Sequence, residues 1–325
     1  MKKLVYIILI MCVSVALTAC SSEHYTHNEK DRITTENKMN IYTTVFAFES
    51  FTKQIGGKYV NVDTIYPPGA DTHTYEPSQR EMINIAKSDL FIYSSDDLDS
   101  VAQKITKSMN NDNMKLAVAE GLNHDELLDE DHDEHGHEHH SHEEESHDPH
   151  VWLDPVLDKQ MSEKIKNDLV KRDPNHKAYY EQNYKQLNKD LTDLDKELKR
   201  ITANPKRDKV VISHDSLGYL AHRYHFEQEG VSGMNNEEPS QKDILALVKN
   251  INNTKQPYIL YEQNITSKIT DIIRDETNAE PVRFNNLSVL SKSQANDESL
   301  TIQSIMKENI KSLDKALNKR ITIII

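Results

Sequence analysis

The chain has 325 residues, of which 36% are hydrophobic and 28% charged, enough for two domains with packed cores. Its 53 acidic residues outnumber 39 Lys and Arg residues and give a formal charge of −14, which argues against nucleic acid as a partner. The composition, with two cysteines, also excludes a multispanning membrane protein and a disulfide scaffold, whereas an acidic chain suits cationic partners such as metal ions.

Residues 1–19 have the pattern of a lipoprotein signal peptide. Two lysines precede an apolar run that is shorter than the roughly 20 residues a membrane-spanning helix needs. The run ends in Leu-Thr-Ala-Cys, which resembles the bacterial lipobox, so we predict that Cys20 becomes the first residue and carries lipid. The alternative is an unmodified cysteine after an ordinary signal. Residues 20–38 are polar and aperiodic, which predicts a flexible tether.

Short apolar runs then alternate with helical patterns. Strands are predicted at residues 41–46, 60–66, 90–94 and 115–119, with a helix at 78–87. Strand–helix alternation implies a parallel sheet covered by helices. We therefore predict an α/β N-terminal lobe over residues 39–172.

A long helix is predicted over residues 173–204. One apolar stripe recurs at alternating intervals of four and three residues: Tyr180, Tyr184, Leu187, Leu191, Leu194, Leu198 and Ile201. Asp173 is expected to cap the helix, with Pro174 at its first position, and Asn204-Pro205 to end it. Either the helix packs within one lobe, or it joins two lobes rigidly; its length and its position favour the connector.

A second α/β set follows, and we predict a C-terminal lobe over residues 205–325. Its strands are predicted at 209–213, 257–261 and 281–284, and its helices at 217–224, 240–250, 267–276 and 299–317. The terminal segment 320–325 follows neither a helical nor a capping pattern, and a truncated reading frame would account for it.

Residues 123–148 form a loop rich in histidine and acid. The window 123–150 holds nine of the 16 histidines and twelve acidic residues, without Lys or Arg, so it cannot bury enough apolar surface to fold alone. Imidazole suits zinc, copper and nickel. The alternative is a solvated charge run, and the two are compatible. We predict weak metal capture by His132, His135, His137, His139, His140, His142 and His147.

Three histidines lie in more constrained contexts. His73 follows a predicted strand and precedes a helix, His150 lies in DPHVWLDP, and His214 ends a predicted strand. Ligands of open α/β sheets bind outside the carboxyl ends of strands, a rule that His73 and His214 satisfy from separate lobes. Taken singly, each histidine is better explained as an ordinary loop or core residue than as a metal ligand. The three sequence contexts together predict a metal site.

The segments DTHTYEPS, DPHVWLDP and ISHDSLGYL resemble the metal-binding motifs of the cluster A-I solute-binding proteins, with the zinc-binding lipoproteins of zinc ABC importers (AdcA/ZnuA type) as the nearest group. The resemblance covers about residues 40–318. It implies two Rossmann-like (β/α) lobes joined by a rigid helix, with Zn²⁺ bound in the cleft by His73 and His150 from the first lobe and His214 from the second.

The same resemblance implies a partner and a location. We expect an extracytoplasmic monomer, lipid-anchored to the outer face of the cell membrane, that delivers the ion to an ABC transporter permease and is not an enzyme. The chain departs from the family pattern at one position, because Ser288 stands where a glutamate supplies the fourth ligand. A serine hydroxyl is a poor zinc ligand, so water, a loop histidine, Asp297 or Glu298 is expected to complete the site.

Two classes compete with a zinc-binding transport protein. A manganese-type solute-binding protein or adhesin of the same family is one, but manganese sites use more carboxylate, and three imidazoles plus one oxygen favour Zn²⁺. A zinc hydrolase is the other, since catalytic zinc also has three protein ligands. The chain contains no His-Glu-x-x-His motif, which argues against the common zinc protease arrangement.

Overall fold

The computed structural model describes residues 32–123, 126–128, 147–263 and 268–319. The chain divides into two units, residues 1–37 and 38–325. In the first unit, the described residues form a bend in which the Asn37 amide donates to Thr34 Oγ1 at 3.0 Å. The predicted signal segment, Cys20, most of the predicted tether and residues 320–325 lie outside the described residues.

The first lobe is a four-stranded parallel sheet with the order β2-β1-β3-β4. Its elements are β1 (Met39–Thr43), α1 (Phe46–Gly56), β2 (Val60–Thr64), α2 (Gln79–Ala86), β3 (Leu90–Tyr93), α3 (Ser100–Ser108) and β4 (Lys115–Ala117). All four predicted strands are confirmed. The first strand begins two residues before and ends three residues before the predicted bounds. Phe48, Phe51 and Ile55 recur at helical spacing and are fully buried, so α1 begins at Phe46.

The second lobe repeats this architecture with the strand order β6-β5-β7-β8. Its elements are β5 (Lys209–His214), α6 (Gly218–Tyr224), β6 (Glu227–Ser232), α7 (Gln241–Thr254), β7 (Tyr258–Glu262), α8 (Lys268–Asp275), β8 (Glu280–Phe284) and α9 (Ile302–Asn318). The edge strand β6 was not predicted. It reads EQEGVS, with Val231 and Ser232 buried and the other residues exposed or half-buried, so no apolar pattern marks its pairing with β5.

In chain order, two long helices, α4 (Pro155–Arg172) and α5 (Lys177–Thr202), come after the strands of the first sheet and before those of the second. The predicted apolar stripe of α5 is confirmed, since six of its seven residues are buried and Tyr184 is half-buried. This stripe packs on α1 and α4 of the first lobe and on α9 of the second. Among the described residues, no helix combines the length and apolarity needed to cross a bilayer.

The predicted capping role of Asp173 is wrong. Residues Pro174–His176 form a separate 3₁₀ turn before α5, and the Asp173 side chain makes no capping hydrogen bond there. Its Oδ2 instead accepts from the Tyr180 hydroxyl at 2.7 Å and lies 2.6 Å from His176 Nδ1. Burial of Asp173 explains the difference, because the carboxylate needs a charge-stabilising partner and Tyr180 lies beside it.

The segment after β8 docks directly on the first lobe. The backbone N–H of Phe46 donates to the Ser288 carbonyl at 2.7 Å, and that of Ala47 donates to the Leu287 carbonyl at 3.2 Å. The Trp152 indole N–H donates to the Asn286 carbonyl at 2.7 Å. These bonds hold the two lobes against each other beside the segment that contains His150.

Candidate metal centre

The three histidines singled out from the sequence converge in space. One ring nitrogen from each of His73, His150 and His214 lies within 4.8 Å of the other two. Their ring centroids are 5.0 to 5.8 Å apart. In the described part of the chain, no other group of three or more His, Cys, Asp or Glu side chains has this spacing.

His73 lies on the loop between β2 and α2. Its backbone N–H donates to Asp71 Oδ1 at 3.0 Å, and Asp71 Oδ2 accepts from the Asn236 side chain of the second lobe at 3.2 Å. Burial, together with the nearby His150 and His214 rings, lowers the pKa of His73 to about 4. The ring is therefore neutral at pH 7 and has a nitrogen lone pair for a metal.

His150 immediately precedes a 3₁₀ turn at Val151–Leu153 and is buried. Asp148 Oδ1 accepts from the His150 backbone N–H at 2.9 Å and lies 2.7 Å from its Nδ1. This carboxylate fixes the ring orientation and favours a proton on Nδ1, which leaves Nε2 to bind a metal. The Trp152 ring lies edge-on to His150, with 5.6 Å between centroids.

His214 is the last residue of β5 and is fully buried. Its Nδ1 lies 2.8 Å from Glu262 Oε2, and its Nε2 lies 2.7 Å from the Met234 carbonyl oxygen. Burial disfavours the charged ring, but the charge and hydrogen bond of Glu262 and the Met234 carbonyl outweigh it and raise the pKa of His214 to about 9. A metal that binds His214 Nε2 must therefore replace a proton and the Met234 contact.

Two carboxylates behind the histidines were not predicted from the sequence. Asp148 was visible two residues before His150 in the DPH motif. Glu262 ends β7, which pairs with β5, so the sheet order would have placed it beside His214. Ser216 Oγ donates to Glu262 Oε1 at 2.7 Å and fixes the second carboxylate oxygen. Carboxylate–histidine pairs of this kind orient metal ligands and increase their basicity.

The candidate fourth ligands lie elsewhere or serve other bonds. The Ser288 hydroxyl donates to Asn286 Oδ1 at 2.7 Å, and the Ser288 backbone N–H donates to the same oxygen at 3.1 Å. Asp297 and Glu298 are not in the histidine cluster but line a separate cavity beside Lys53. The structure therefore brings the three histidines together, and it does not show Ser288, Asp297 or Glu298 as a fourth ligand.

The described residues on either side of the histidine-rich segment lie next to each other. The Asp148 backbone N–H donates to the Leu128 carbonyl at 2.8 Å, which holds the two ends of the loop together. Of the predicted capture residues, His147 is described, and with His73 and Trp152 it lines a cavity of ≈ 320 Å³. The other six, at positions 132 to 142, lie outside the described residues.

Comparison with known proteins identifies relatives over most of the chain. The family model described as "Zinc-uptake complex component A periplasmic" (ZnuA) matches residues 41–316. The high-affinity zinc uptake system protein ZnuA of Bacillus subtilis (strain 168) is 33% identical over 283 residues, 86% of this chain and 88% of that protein. The zinc-binding lipoprotein AdcA of Streptococcus pneumoniae (strain ATCC BAA-255 / R6) is 29% identical over 98% of this chain, which spans 62% of that protein's length.

Manganese proteins are also relatives. The manganese ABC transporter substrate-binding lipoprotein scaA of Streptococcus gordonii is 28% identical over 98% of this chain and 100% of its own length. None of these relatives is named as an enzyme.

Solved structures agree with the two-lobed architecture. The metal-dependent lipoprotein YcdH from Bacillus subtilis has a TM-score of 0.70 at 30% identity and covers 86% of this chain and 99% of its own. The Zn(II)-bound ZnuA-like domain of Streptococcus pneumoniae AdcA has a TM-score of 0.71 at 25% identity, covering 87% of this chain and 100% of its own. Since the family model spans most of the sequence, the chain belongs to the ZnuA family of zinc-uptake complex components.

Proposed function

We propose that this chain is an extracytoplasmic solute-binding protein that captures Zn²⁺ in its cleft and delivers it to an ABC importer. The observation that carries the proposal is the convergence of His73, His150 and His214 from both lobes to within 4.8 Å. Asp148 and Glu262 orient two of the three rings. Three imidazole nitrogens at about 2.0–2.1 Å, with one oxygen from water, would give Zn²⁺ its usual tetrahedral shell.

The donor chemistry favours zinc over manganese. Manganese prefers carboxylate, carbonyl and water oxygens, whereas imidazole suits zinc and its late-transition neighbours. Among the described residues, the cluster contains three histidines and no carboxylate. Because a manganese transport lipoprotein is among the relatives, Mn²⁺ is the alternative cargo. A direct comparison of the binding of the two ions decides between them.

A transport role also fits the site better than hydrolysis. Hydrolysis at zinc requires an open position for water and a general base beside it. Asp148 and Glu262, the carboxylates that contact cluster rings, are buried and hold those rings in place, which fits the orientation of metal ligands rather than the role of a general base. His150 and His214 are 2% and 0% exposed, as expected for a site that encloses a bound ion.

The organisation of the chain follows from the same role. We propose that residues 1–19 are removed, that Cys20 carries lipid, and that residues 20–38 tether the body to the outer face of the membrane. The body is a monomer with lobes at 39–172 and 205–325 joined by residues 173–204. Several relatives are named lipoproteins, which supports the anchor.

Uptake of ⁶⁵Zn by cells that lack the chain tests this function. Under limiting zinc, the wild-type gene and a His222→Ala control should restore uptake, because His222 is exposed and outside the cluster. His214→Ala should not restore it. Uptake that does not depend on the chain would contradict the proposal, and a loss of ⁵⁴Mn uptake alone would support the manganese alternative.

A further inference from the structure

The hydroxyl of Tyr219, a residue of the second lobe, bonds to the first lobe on both sides of the histidine-rich segment. It donates to the backbone carbonyl of Asp148 at 2.9 Å and accepts from the backbone N–H of Leu128 at 3.4 Å. Asp148 and Leu128 are themselves joined by a backbone hydrogen bond of 2.8 Å. The three residues therefore form a closed set of hydrogen bonds, in which Tyr219 is the member from the second lobe.

This set of bonds ends one residue short of a metal-site histidine pair. Tyr219 and Asp148 are each 3% exposed, so the Asp148 carbonyl depends on the hydroxyl and not on bulk water for a donor. Asp148 Oδ1 in turn accepts from the His150 backbone N–H and lies 2.7 Å from His150 Nδ1. The hydroxyl and the ring of His150 are thus linked through a single residue, Asp148.

Gly218, the first residue of α6, lets the Asp148 carboxylate approach the same helix. A Cβ atom at position 218 would lie 2.3 Å from Asp148 Oδ2, far inside van der Waals contact. The backbone carbonyl of Asp148 is therefore held by Tyr219 while its carboxylate lies against Gly218. Two consecutive residues of α6 together determine where both the main chain and the side chain of Asp148 lie.

The same helix is covalently close to the metal ligand of the second lobe. His214 ends β5, and Tyr219 follows five residues later on α6. The second lobe therefore reaches His150 by two routes, one through an ion shared with His214 and one through the contact between Tyr219 and Asp148. Both routes favour the same arrangement of the two lobes.

We propose that Tyr219 is a positioning residue for zinc binding, whose hydroxyl fixes Asp148 so that Asp148 holds the His150 ring and leaves its Nε2 for the ion. This inference rests on the proposed transport function. A ligand ring that is already fixed loses less freedom when the ion arrives, so preorganisation raises the affinity. Gly218 contributes by leaving space for the Asp148 carboxylate.

Two tyrosine variants test this role with one matched control. Tyr219→Phe removes the hydroxyl and keeps the ring. Tyr224→Phe is the control, because Tyr224 is a buried residue of the same helix whose hydroxyl donates to Asp195 of α5 at 3.0 Å, outside the histidine cluster. Each variant is titrated with Zn²⁺ as the purified full chain, at one pH, in competition with a fluorescent zinc chelator. The melting temperature without zinc reports any general loss of stability.

We expect Tyr219→Phe to weaken zinc binding about tenfold, the lower end of the effect of losing an outer partner of a ligating histidine. Tyr224→Phe should stay within about twofold of wild type, because its hydrogen bond shares no partner with the histidines. Each variant loses one buried hydrogen bond, so both should lower the melting temperature by a similar amount. Equal zinc affinities in the two variants would overturn the positioning role.

Two further variants test the route through Asp148. Gly218→Ala keeps the Tyr219 hydroxyl but occupies the space of Asp148 Oδ2, so it should also weaken zinc binding about tenfold. Asp148→Ala removes the carboxylate, and adding Tyr219→Phe to it should cause no further loss, because the route is already broken. Wild-type affinity in Gly218→Ala, or a second full loss in the double variant, would overturn the proposal.

NMR of zinc-loaded protein with ¹⁵N-labelled histidine reads the position of the His150 ring without an affinity measurement. The proton on His150 Nδ1 should exchange slowly with water in wild type and in Tyr224→Phe, since the Asp148 carboxylate holds it. It should exchange faster in Tyr219→Phe. Unchanged exchange in Tyr219→Phe overturns the role of Tyr219 alone, whereas a wild-type chain that binds no zinc overturns the proposed transport function.

Discussion

Glu262 Oε2 lies 2.8 Å from His214 Nδ1, and the two residues end neighbouring parallel strands, β7 and β5. The pair is completely buried, and Ser216 holds the other Glu262 oxygen. The carboxylate thus fixes the ring of the one metal-site histidine that comes from the second lobe. Any ion in the cleft that binds His214 therefore depends on Glu262, although Glu262 is outside the cluster of ligand atoms.

At pH 9, where proton competition at His214 is small, Glu262→Gln should weaken zinc binding about 10–100-fold, the usual cost of losing a carboxylate behind a ligating histidine. The amide still fits the space but no longer increases the basicity of the ring. Competition with a fluorescent zinc chelator measures the dissociation constant. Glu227→Gln is the matched control, because Glu227 is an exposed residue on β6 paired with Lys209 at 3.3 Å. Equal affinities for Glu262→Gln and wild type would contradict a positioning role.

Zinc affinity should rise with pH up to about 9. Because the pKa of His214 is raised to about 9, this ring is protonated at pH 7 and zinc must displace its proton. The pKa of His73 is lowered to about 4, so that ring does not limit binding at neutral pH. The dissociation constant should therefore fall about tenfold per pH unit between pH 7 and pH 8.5. A plateau above pH 7, as for an ordinary imidazole, would show that Glu262 does not hold a proton on His214.

The metal-site histidines were predictable because each lies in a distinctive local sequence, and the strand–helix order placed His214 at the end of a strand and His73 in the loop after one. Of the two carboxylates that support them, Asp148 lies only two residues before His150 and was overlooked. Glu262 is 48 positions from His214, and only strand pairing brings the two together. The strand β6 was missed for a related reason, since backbone pairing with β5 rather than an apolar pattern defines it. The Asp173 side chain was misassigned because its partner, Tyr180, becomes its neighbour only after α5 has formed.

Asp158→Asn should stabilise the protein at neutral pH. Asp158 is buried on α4, and neither carboxylate oxygen has a hydrogen-bond partner among the described residues. Burial, reinforced by the nearby Asp154 carboxylate, raises the pKa of Asp158 well above its usual value. The folded state thus holds this proton more tightly than the unfolded state, and stability is lost as pH rises through the higher folded pKa.

Thermal unfolding followed at several pH values measures this effect. Asp158→Asn should raise the melting temperature by about 2–8 °C at pH 7.5, and the gain should shrink towards pH 4, where wild-type Asp158 is protonated. Asp193→Asn is the control, because Asp193 is a partly exposed ion-pair residue on α5 whose removal should change little. A lower melting temperature for Asp158→Asn at pH 7.5 would show that the ionised carboxylate is stabilised by a charge partner.

Replacement of residues 129–146 by two glycines should leave cleft affinity unchanged and reduce uptake when zinc is scarce. The hydrogen bond between the Asp148 N–H and the Leu128 carbonyl holds the loop ends together, so a short linker can join them. The expected loss reflects a lower local metal concentration, because the segment contains six of the predicted capture histidines. ⁶⁵Zn uptake is measured at limiting and at abundant zinc, and the loss should appear at limiting zinc. Normal uptake at limiting zinc would contradict a capture role.

The most direct test of the account is a zinc titration of the purified chain with residues 129–146 replaced, combined with X-ray absorption at the zinc edge. The account predicts one tightly bound Zn²⁺ per chain, with three imidazole nitrogens at about 2.0–2.1 Å, and loss of this ion in His214→Ala. Manganese at the same concentration should not displace it. A chain that binds no stoichiometric zinc, or that keeps wild-type affinity and the same three-nitrogen shell in His214→Ala, would contradict the proposed site.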